Sequence, residues 1–181
     1  IIAINEKDEI SLAFKSSYNV YNILAAYSVC SLLGIDGKEI CKLAGNYVLK
    51  NGRYMEFTLG DHPGTFLIAK HENSMAYDMS FRYAEREGKP YSMVIIVDAI
   101  SRKYFTSETS WLWDINFDLL CSEQLQKVYL CGKYCYDLAL RLSFSKLPQE
   151  KICIYEDILA ACNELKENGA EQLYAVTCFS D

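Results

Sequence analysis

Both tryptophans of the chain lie in the run Ser110-Trp111-Leu112-Trp113-Asp114, separated by a single leucine. Two indoles that flank a leucine and end in a carboxylate could form a rigid, partly apolar platform that holds one acid in a defined direction. The alternative is structural, because a Trp-x-Trp pair usually belongs to a core and an Asp after it usually caps a turn. Residue types leave both interpretations open, and Asp114 is the first candidate acid.

Further candidates lie downstream of this run. Asn116 follows the acid, and Gly132 follows a short apolar run, where a glycine lets the backbone approach a ligand or a neighbouring segment. Asp137 and Arg141 are one helical turn apart, the spacing of a pair. Such a pair could bind a ligand, but the spacing favours a structural ion pair that fixes the helix to the sheet.

The elements that must position these residues follow an alternating α/β pattern. β-branched and aromatic runs predict short strands at 93–97, 128–131, 152–155 and 173–176. Helical patterns occupy residues 72–87, 134–142 and 157–167. This alternation predicts a Rossmann-like, mostly parallel sheet with crossover helices. Ahead of it, two strand-like runs between residues 53 and 69, reversed at 60–64, predict a β-hairpin.

The long connection after residue 97 is where this fold would place a site. In an open parallel sheet, ligands gather at the carboxyl ends of the strands. Asp98 ends one predicted strand, and residues 99–114 form a long connection that carries both tryptophans. The chain before residue 50 does not follow this alternating pattern. It predicts strand-like runs at 1–4 and 10–14, a helix at 19–33 and a second helix capped by Asp36.

Composition excludes several classes of protein. The 181 residues are 51% hydrophobic and 23% charged, which is typical of a folded domain, and the net charge of -6 argues against nucleic acid as the main partner. The longest apolar runs are too short for a membrane span, so we expect a soluble, cytoplasmic protein. The eight cysteines show no Cys-x-x-Cys spacing and the two histidines are not paired. We therefore expect free thiols and no metal site.

Four motifs, in order along the chain, resemble one family. They are residues 18–26 with Leu33-Gly34, Asn51-Gly52-Arg53 with Glu56, the run SETSWLWDINFDLL at 107–120, and residues 130–133 with Asp137 and Arg141. Together they resemble the C-terminal domain of MurT, the Mur-ligase-like subunit of lipid II isoglutaminyl synthase. The resemblance implies that residues 1–50 are the end of a Mur ligase central domain with linker helices, and that 51–181 are the C-terminal α/β domain.

The family's chemistry is an ATP-dependent amidation. The resemblance implies a heterodimeric enzyme in which the ligase subunit activates the D-glutamate α-carboxyl of lipid II and a glutaminase subunit, GatD, supplies ammonia for D-isoglutamine. ATP and Mg²⁺ are expected for the full-length ligase. No G-x-x-x-x-G-K-[ST] phosphate loop occurs in this sequence, so we expect this chain to bind no cofactor and to be inactive alone.

The resemblance also suggests roles for single residues. An Asp of this domain is expected to complete the glutaminase triad, where it would orient the histidine. Asp114 is the first candidate, and Glu108 is the second because it stands near the first Asp of the family's D-V-S-W motif. Trp111, Trp113, Asn116, Gly132, Asp137 and Arg141 are candidate interface or binding residues. Arg53 and Glu56 are expected to contact nucleotide or the neighbouring domain.

Two other interpretations remain from different functional classes. The chain could be a divergent scaffold or protein-binding domain that keeps the fold without completing a catalytic site. It could also be a free-standing nucleotide-binding domain, although no G-x-G-x-x-G follows any predicted strand.

Overall fold

The chain folds into two compact units, residues Ile1–Gly52 and Arg53–Asp181. A computed structural model describes residues 1–4, 7–12, 18–47, 54–70, 73–98 and 109–179. No helix within these ranges is long and apolar enough to cross a bilayer.

The first unit is a short hairpin with two helices. Strands β1 (Ile2–Ile4) and β2 (Asp8–Ile10) pair antiparallel, and helices α1 (Tyr18–Leu32) and α2 (Gly37–Gly45) follow. As predicted, the Asp36 side chain caps α2, accepting hydrogen bonds from the Lys38 and Glu39 backbone N–H groups at 3.0 and 3.4 Å. β2 ends earlier than the predicted strand, and residues 13–17 lie outside the described part of the chain.

The second unit is a six-stranded sheet with helices on both faces. Its strands are β3 (Tyr54–Leu59), β4 (His62–Lys70), β5 (Tyr91–Ile96), β6 (Leu125–Cys131), β7 (Ile152–Tyr155) and β8 (Gln172–Phe179), in the spatial order β3-β4-β8-β5-β6-β7. β3 pairs antiparallel with β4, and every other pairing is parallel. The crossover helices are α3 (Ser74–Arg86), α4 (Cys135–Leu142) and α5 (Ile158–Asn168). The Rossmann-like prediction is confirmed.

The hairpin turn is tighter than the sequence suggested. Leu59 pairs directly with His62, so the reversal needs only Gly60 and Asp61, and residues 62–64 already belong to β4. Gly60 has a φ of +62°, which matches the right-handed twist of a two-residue hairpin turn. The predicted turn at 60–64 was therefore too long.

Each face of the sheet has its own core. On one face α3 and α4 pack against the middle strands, with Phe81, Leu138, Met93 and Val128 each 0% exposed. On the other face α5 packs through Ala161 and Leu165. Since both faces are covered, the central strands are nearly continuous apolar runs, as parallel strands require.

Candidate functional site

The carboxyl ends of β5 and β6 are joined by direct backbone contacts. Gly132, just after β6, has a φ of +91°, and a Cβ there would lie 2.7 Å from the Val97 carbonyl oxygen. That carbonyl accepts a hydrogen bond from the Tyr134 N–H at 3.0 Å, and the Asp98 carboxylate accepts one from the Lys133 N–H at 3.1 Å. The glycine therefore allows close approach of a neighbouring backbone, which is one of the two roles that its sequence position left open.

The tryptophan segment, which we define as residues 109–117, begins with a 3₁₀ helix at Ser110–Asp114. Leu112, Ile115 and Phe117 are buried, at 0%, 1% and 0% exposure. With about three residues per turn, a 3₁₀ helix puts Leu112 and Ile115 on the same side. The buried side of the segment is therefore aliphatic and aromatic, and it attaches the segment to the core below α3.

The two indoles point in different directions. The Trp111 ring is partly buried and lies 5.5 Å from the Tyr77 ring, centroid to centroid. Trp113 is 53% exposed and lies 5.4 Å from the ring of Phe144, which is itself exposed. The platform predicted from two flanking indoles is thus wrong in its geometry, because one tryptophan serves the core and the other the surface.

Arg141 of α4 contacts the segment on both sides of Asp114. Its Nη2 donates a hydrogen bond to the Ile115 carbonyl oxygen at 2.9 Å. The guanidinium carbon lies 5.3 Å from the centre of the Trp113 ring and 5.3 Å from that of Phe117. These are cation–π distances, and the planar guanidinium suits them.

Asp137, one turn earlier on α4, bonds to the start of the segment. Its Oδ1 accepts a hydrogen bond from the Thr109 hydroxyl at 3.0 Å. Within the described residues, Asp137 and Arg141 form no ion pair with each other, so the pairing that their spacing favoured was wrong. The reason is that both side chains find partners in the tryptophan segment.

Asp114 is exposed, and its carboxylate has no hydrogen bond or ion pair with the part of the chain that the structure describes. Next to it, the Asn116 N–H donates to Asp78 Oδ1 of α3 at 2.9 Å, while the Asn116 residue is exposed. The Asp114 carboxylate is therefore free to meet another molecule, and the backbone just after it is held by Arg141 and Asp78.

The other predicted residues are not brought together with the tryptophan segment. Glu56 is exposed on the edge strand β3, where its carboxylate accepts a hydrogen bond from the Tyr54 hydroxyl at 3.2 Å. Strands β4 and β8 lie between β3 and β5, which separates them by roughly 14 Å across the sheet. Glu108, Arg53 and the connection 99–108 lie outside the described residues.

Sequence reasoning missed an apolar surface on α4. We define the α4 patch as Tyr136, Leu140, Phe144 and Trp113, which are 61%, 59%, 68% and 53% exposed. Tyr136 and Leu140 lie on the outward side of the helix, and Phe144 follows four residues later, just past its C-terminal end. Leu138 and Leu142 are buried on the inward side. Apolar residues on both sides of α4 were the signal that could have revealed the patch.

The thiols near this end of the sheet are poor nucleophiles. Burial raises the pKa of Cys131 to about 12, and burial also raises the pKa of Cys135. A thiol needs its pKa lowered to react as a thiolate near neutral pH. His62, in the hairpin, has its Nδ1 2.8 Å from the Ala170 carbonyl oxygen, so that ring is used by a structural contact.

Comparisons of sequence place this chain beside a single group of proteins. The family model described as "MurT ligase C-terminal" matches residues 71–181. The chain is 23% identical over 164 residues to the MurT subunit of lipid II isoglutaminyl synthase (glutamine-hydrolyzing) from Streptococcus pneumoniae, covering 90% of this chain and 36% of that protein. It is 27% identical over 157 residues to the same subunit from Staphylococcus aureus, covering 87% and 34%. The chain thus spans about a third of the length of these relatives.

Solved structures share the fold. MurF from Acinetobacter baumannii superposes with a TM-score of 0.69 at 18% identity, over 94% of this chain and 36% of that one. The UDP-N-acetylmuramate-alanine ligase MurC from Thermotoga maritima gives a TM-score of 0.62 at 13% identity, over 95% and 36%. At these identities the similarity supports the α/β fold.

Proposed function

The chain belongs to the MurT ligase C-terminal family, and on that premise we propose that it is the C-terminal part of a ligase subunit that amidates the D-glutamate α-carboxyl of lipid II. Its relatives carry the name lipid II isoglutaminyl synthase (glutamine-hydrolyzing) subunit MurT. In this proposal a GatD-like glutaminase subunit docks on the tryptophan segment, and this chain supplies the acid of its triad.

The observation that carries the proposal is the state of Asp114. An acid supplied across an interface must reach the partner's histidine, so it has to be exposed before the partner binds. Asp114 is exposed and has no partner within the described residues, while its neighbours Trp113 and Ile115 are held by Arg141. A carboxylate on a fixed backbone can orient an imidazole without rearranging first.

The chemistry assigned to Asp114 is that of an orienting acid. In a Cys-His-Asp arrangement the carboxylate accepts a hydrogen bond from one histidine nitrogen, fixes the tautomer and stabilises the imidazolium that forms. The cysteine and the histidine would come from the glutaminase. This division agrees with the two thiols near this end of the sheet, since burial raises the pKa of Cys131 to about 12 and also raises the pKa of Cys135.

The α4 patch is the surface that supports docking next to this acid. Trp113 belongs to the patch and immediately precedes Asp114, so a partner that covers the patch comes close to the carboxylate. Exposed aromatic and aliphatic side chains that lie together are typical of protein interfaces. The guanidinium of Arg141 lies against Trp113 and limits its rotation, which lowers the entropy that binding must remove.

ATP and Mg²⁺ are assigned to the rest of the ligase. Within the described residues, no group of three or more His, Cys, Asp or Glu side chains is placed to hold a metal ion. At the N-terminus of α4, where phosphate could meet backbone N–H groups, the Lys133 N–H already bonds to Asp98 and the Tyr134 N–H to Val97. These two N–H groups are therefore not available to a phosphate.

A non-catalytic scaffold is the second candidate function. The observation that favours it is the α4 patch, because its exposed apolar side chains could dock a partner whether or not Asp114 acts in catalysis. A scaffold would dock a partner through the α4 patch without changing the partner's chemistry.

One experiment separates the two functions. The hydrolysis of glutamine by the cognate glutaminase subunit is measured alone and with this chain, and binding is measured on the same samples by calorimetry. We expect the unaltered chain to raise the rate of glutamine hydrolysis. Asp114→Asn should bind the glutaminase equally well, but its increase in rate should be smaller by roughly 100-fold or more because the orienting charge is lost.

Glu108→Gln is the matched variant, since it removes the charge of the second candidate acid in the same way. A loss with Glu108→Gln and none with Asp114→Asn would move the acid to Glu108. Binding without any rise in hydrolysis by the unaltered chain would support the scaffold instead.

A further inference from the structure

Helix α4 holds the tryptophan segment at both ends, and we propose that Arg141 is the positioning residue of Asp114, an inference that rests on the proposed function. Asp137 has the supporting role at the start of the segment. The position of the carboxylate then depends on a second residue, which lies on a different element from the acid.

Arg141 contacts the residue before Asp114 and the residue after it. The guanidinium carbon lies 5.3 Å from the centre of the Trp113 ring, and Nη2 donates to the Ile115 carbonyl oxygen at 2.9 Å. One side chain thereby contacts the backbone just after the acid and the indole just before it. The Asp114 side chain is left free to meet another molecule.

The contacts of Arg141 depend on its planar shape as well as on its charge. Its guanidinium has no carboxylate partner within the described residues, and its Nε is buried without a hydrogen bond there. What holds it is one carbonyl oxygen and the rings of Trp113 and Phe117, each 5.3 Å from the guanidinium carbon. A lysine would keep the charge, but its ammonium cannot lie flat against the rings while bonding to the carbonyl.

The base of Arg141 is itself rigid. Leu138 and Leu142, on the inward side of α4, are 0% exposed and anchor the helix in the core. Asp137, on the same helix, accepts the Thr109 hydroxyl hydrogen bond at 3.0 Å, which ties the start of the segment to α4. Residues placed on a packed helix position a site more accurately than residues on a loop.

The first test reads the contact without any partner. Trp111→Phe leaves Trp113 as the only tryptophan, so its fluorescence reports the ring that Arg141 covers. Adding Arg141→Lys to this background should raise the acrylamide quenching constant roughly twofold and lower the anisotropy, because one ring face becomes uncovered. Arg86→Lys, at an exposed arginine of α3, is the matched control and should change neither quantity.

The second test reads the role in catalysis. With the glutaminase subunit bound, Arg141→Lys should lower kcat for glutamine hydrolysis by roughly 10- to 100-fold with little change in KM, because a displacement of about 1 Å at the acid slows the chemical step and leaves glutamine binding intact. Asp137→Ala should lower kcat only a few-fold, and Asp137→Asn should recover most of it because its amide oxygen can still accept the Thr109 hydrogen bond.

The outcomes separate this inference from the proposed function. If the unaltered chain fails to raise hydrolysis, the proposed function fails, and the role of Arg141 in positioning an acid fails with it. If the unaltered chain raises hydrolysis but Arg141→Lys matches Arg86→Lys in kcat, only the positioning role is overturned. A greater loss with Asp137→Ala than with Arg141→Lys would also overturn it, since the segment would then be positioned from the Glu108 side. Unchanged quenching in Arg141→Lys would refute the contact itself.

Discussion

Gly132 offers a quantitative test of how the two strand ends that support the site are packed. Its φ of +91° lies in the left-handed region, and a Cβ there would approach the Val97 carbonyl oxygen to 2.7 Å and the carbonyl carbon to 2.9 Å. Both of those atoms are backbone atoms of the neighbouring segment. Gly132→Ala therefore combines backbone strain with a steric clash that no side-chain rotation can relieve.

The magnitude follows from separating these two contributions. An alanine at positive φ costs about 1–2 kcal/mol, and the lower entropy of its unfolded chain offsets about 0.4–1 kcal/mol. Overpacking against atoms that must shift adds about 1–3 kcal/mol. We expect Gly132→Ala to lower the free energy of unfolding by roughly 2–4 kcal/mol.

Gly88 provides the matched control. Its φ is +66°, and a Cβ there would meet nothing within 4 Å, so Gly88→Ala carries the strain without the clash. We expect it to lower the free energy of unfolding by only about 1 kcal/mol. The difference between the two variants isolates the contact of Gly132 with Val97.

Equilibrium unfolding in urea measures both variants. Both tryptophans lie in the second unit, so their fluorescence follows the unit that contains both glycines. A shift of the midpoint at constant slope reports a change in stability. Equal losses in Gly132→Ala and Gly88→Ala would refute the close approach between the ends of β5 and β6.

Three further predictions concern the tryptophans, the surface and pH. Trp111→Ala should lower the free energy of unfolding by about 2–4 kcal/mol because its ring packs on the core, whereas Trp113→Ala should change it by less than about 1 kcal/mol. Urea unfolding followed by circular dichroism measures both variants. Equal losses would contradict the different directions of the two indoles. Leu140→Ala should weaken glutaminase binding roughly 10-fold in calorimetry. Leu159→Ala, at a leucine on α5 that is at least as exposed, should not weaken it, and the reverse order would place the interface elsewhere. Burial raises the pKa of Tyr91 from 10.0 to about 12, so the stability that its neutral phenol contributes is complete below pH 10 and lost as pH rises towards 12. The free energy of unfolding of Tyr91→Phe should therefore fall less between pH 10 and pH 12 than that of the unaltered chain. Identical dependence of stability on pH in the two proteins would exclude ionisation of Tyr91 as the cause.

The elements of the sheet were predictable because their cause is local. The apolar runs at 128–131 and 152–155 became parts of β6 and β7, since strands covered on both faces need nearly continuous apolar residues. The order of the strands was not predictable in this way. β8, the last strand in sequence, lies between β4 and β5, and that placement depends on contacts between distant parts of the chain.

The geometry of the candidate site was only partly predictable. Asp114 was recognised from its position after the tryptophans, and the structure finds it exposed. The different directions of Trp111, which faces the core, and Trp113, which faces the surface, were not predicted. They depend on the 3₁₀ helix, in which residues two apart do not lie on the same side. The outward side of α4 was missed because Tyr136 and Leu140 are apolar residues like the buried Leu138 and Leu142, and only the packing shows which side is exposed.

Local residue patterns were enough to predict the main strands and helices of the second unit and the order of the family motifs, and they named Asp114 and Glu108 as candidate acids. The tertiary structure decided which side chains meet. Arg141 bonds to a carbonyl 26 residues away and Asp137 to a hydroxyl 28 residues away, although the two stand one turn apart on the same helix. Spacing along a helix sets which residues share a side, but the partners on that side come from whatever segment the fold packs against it.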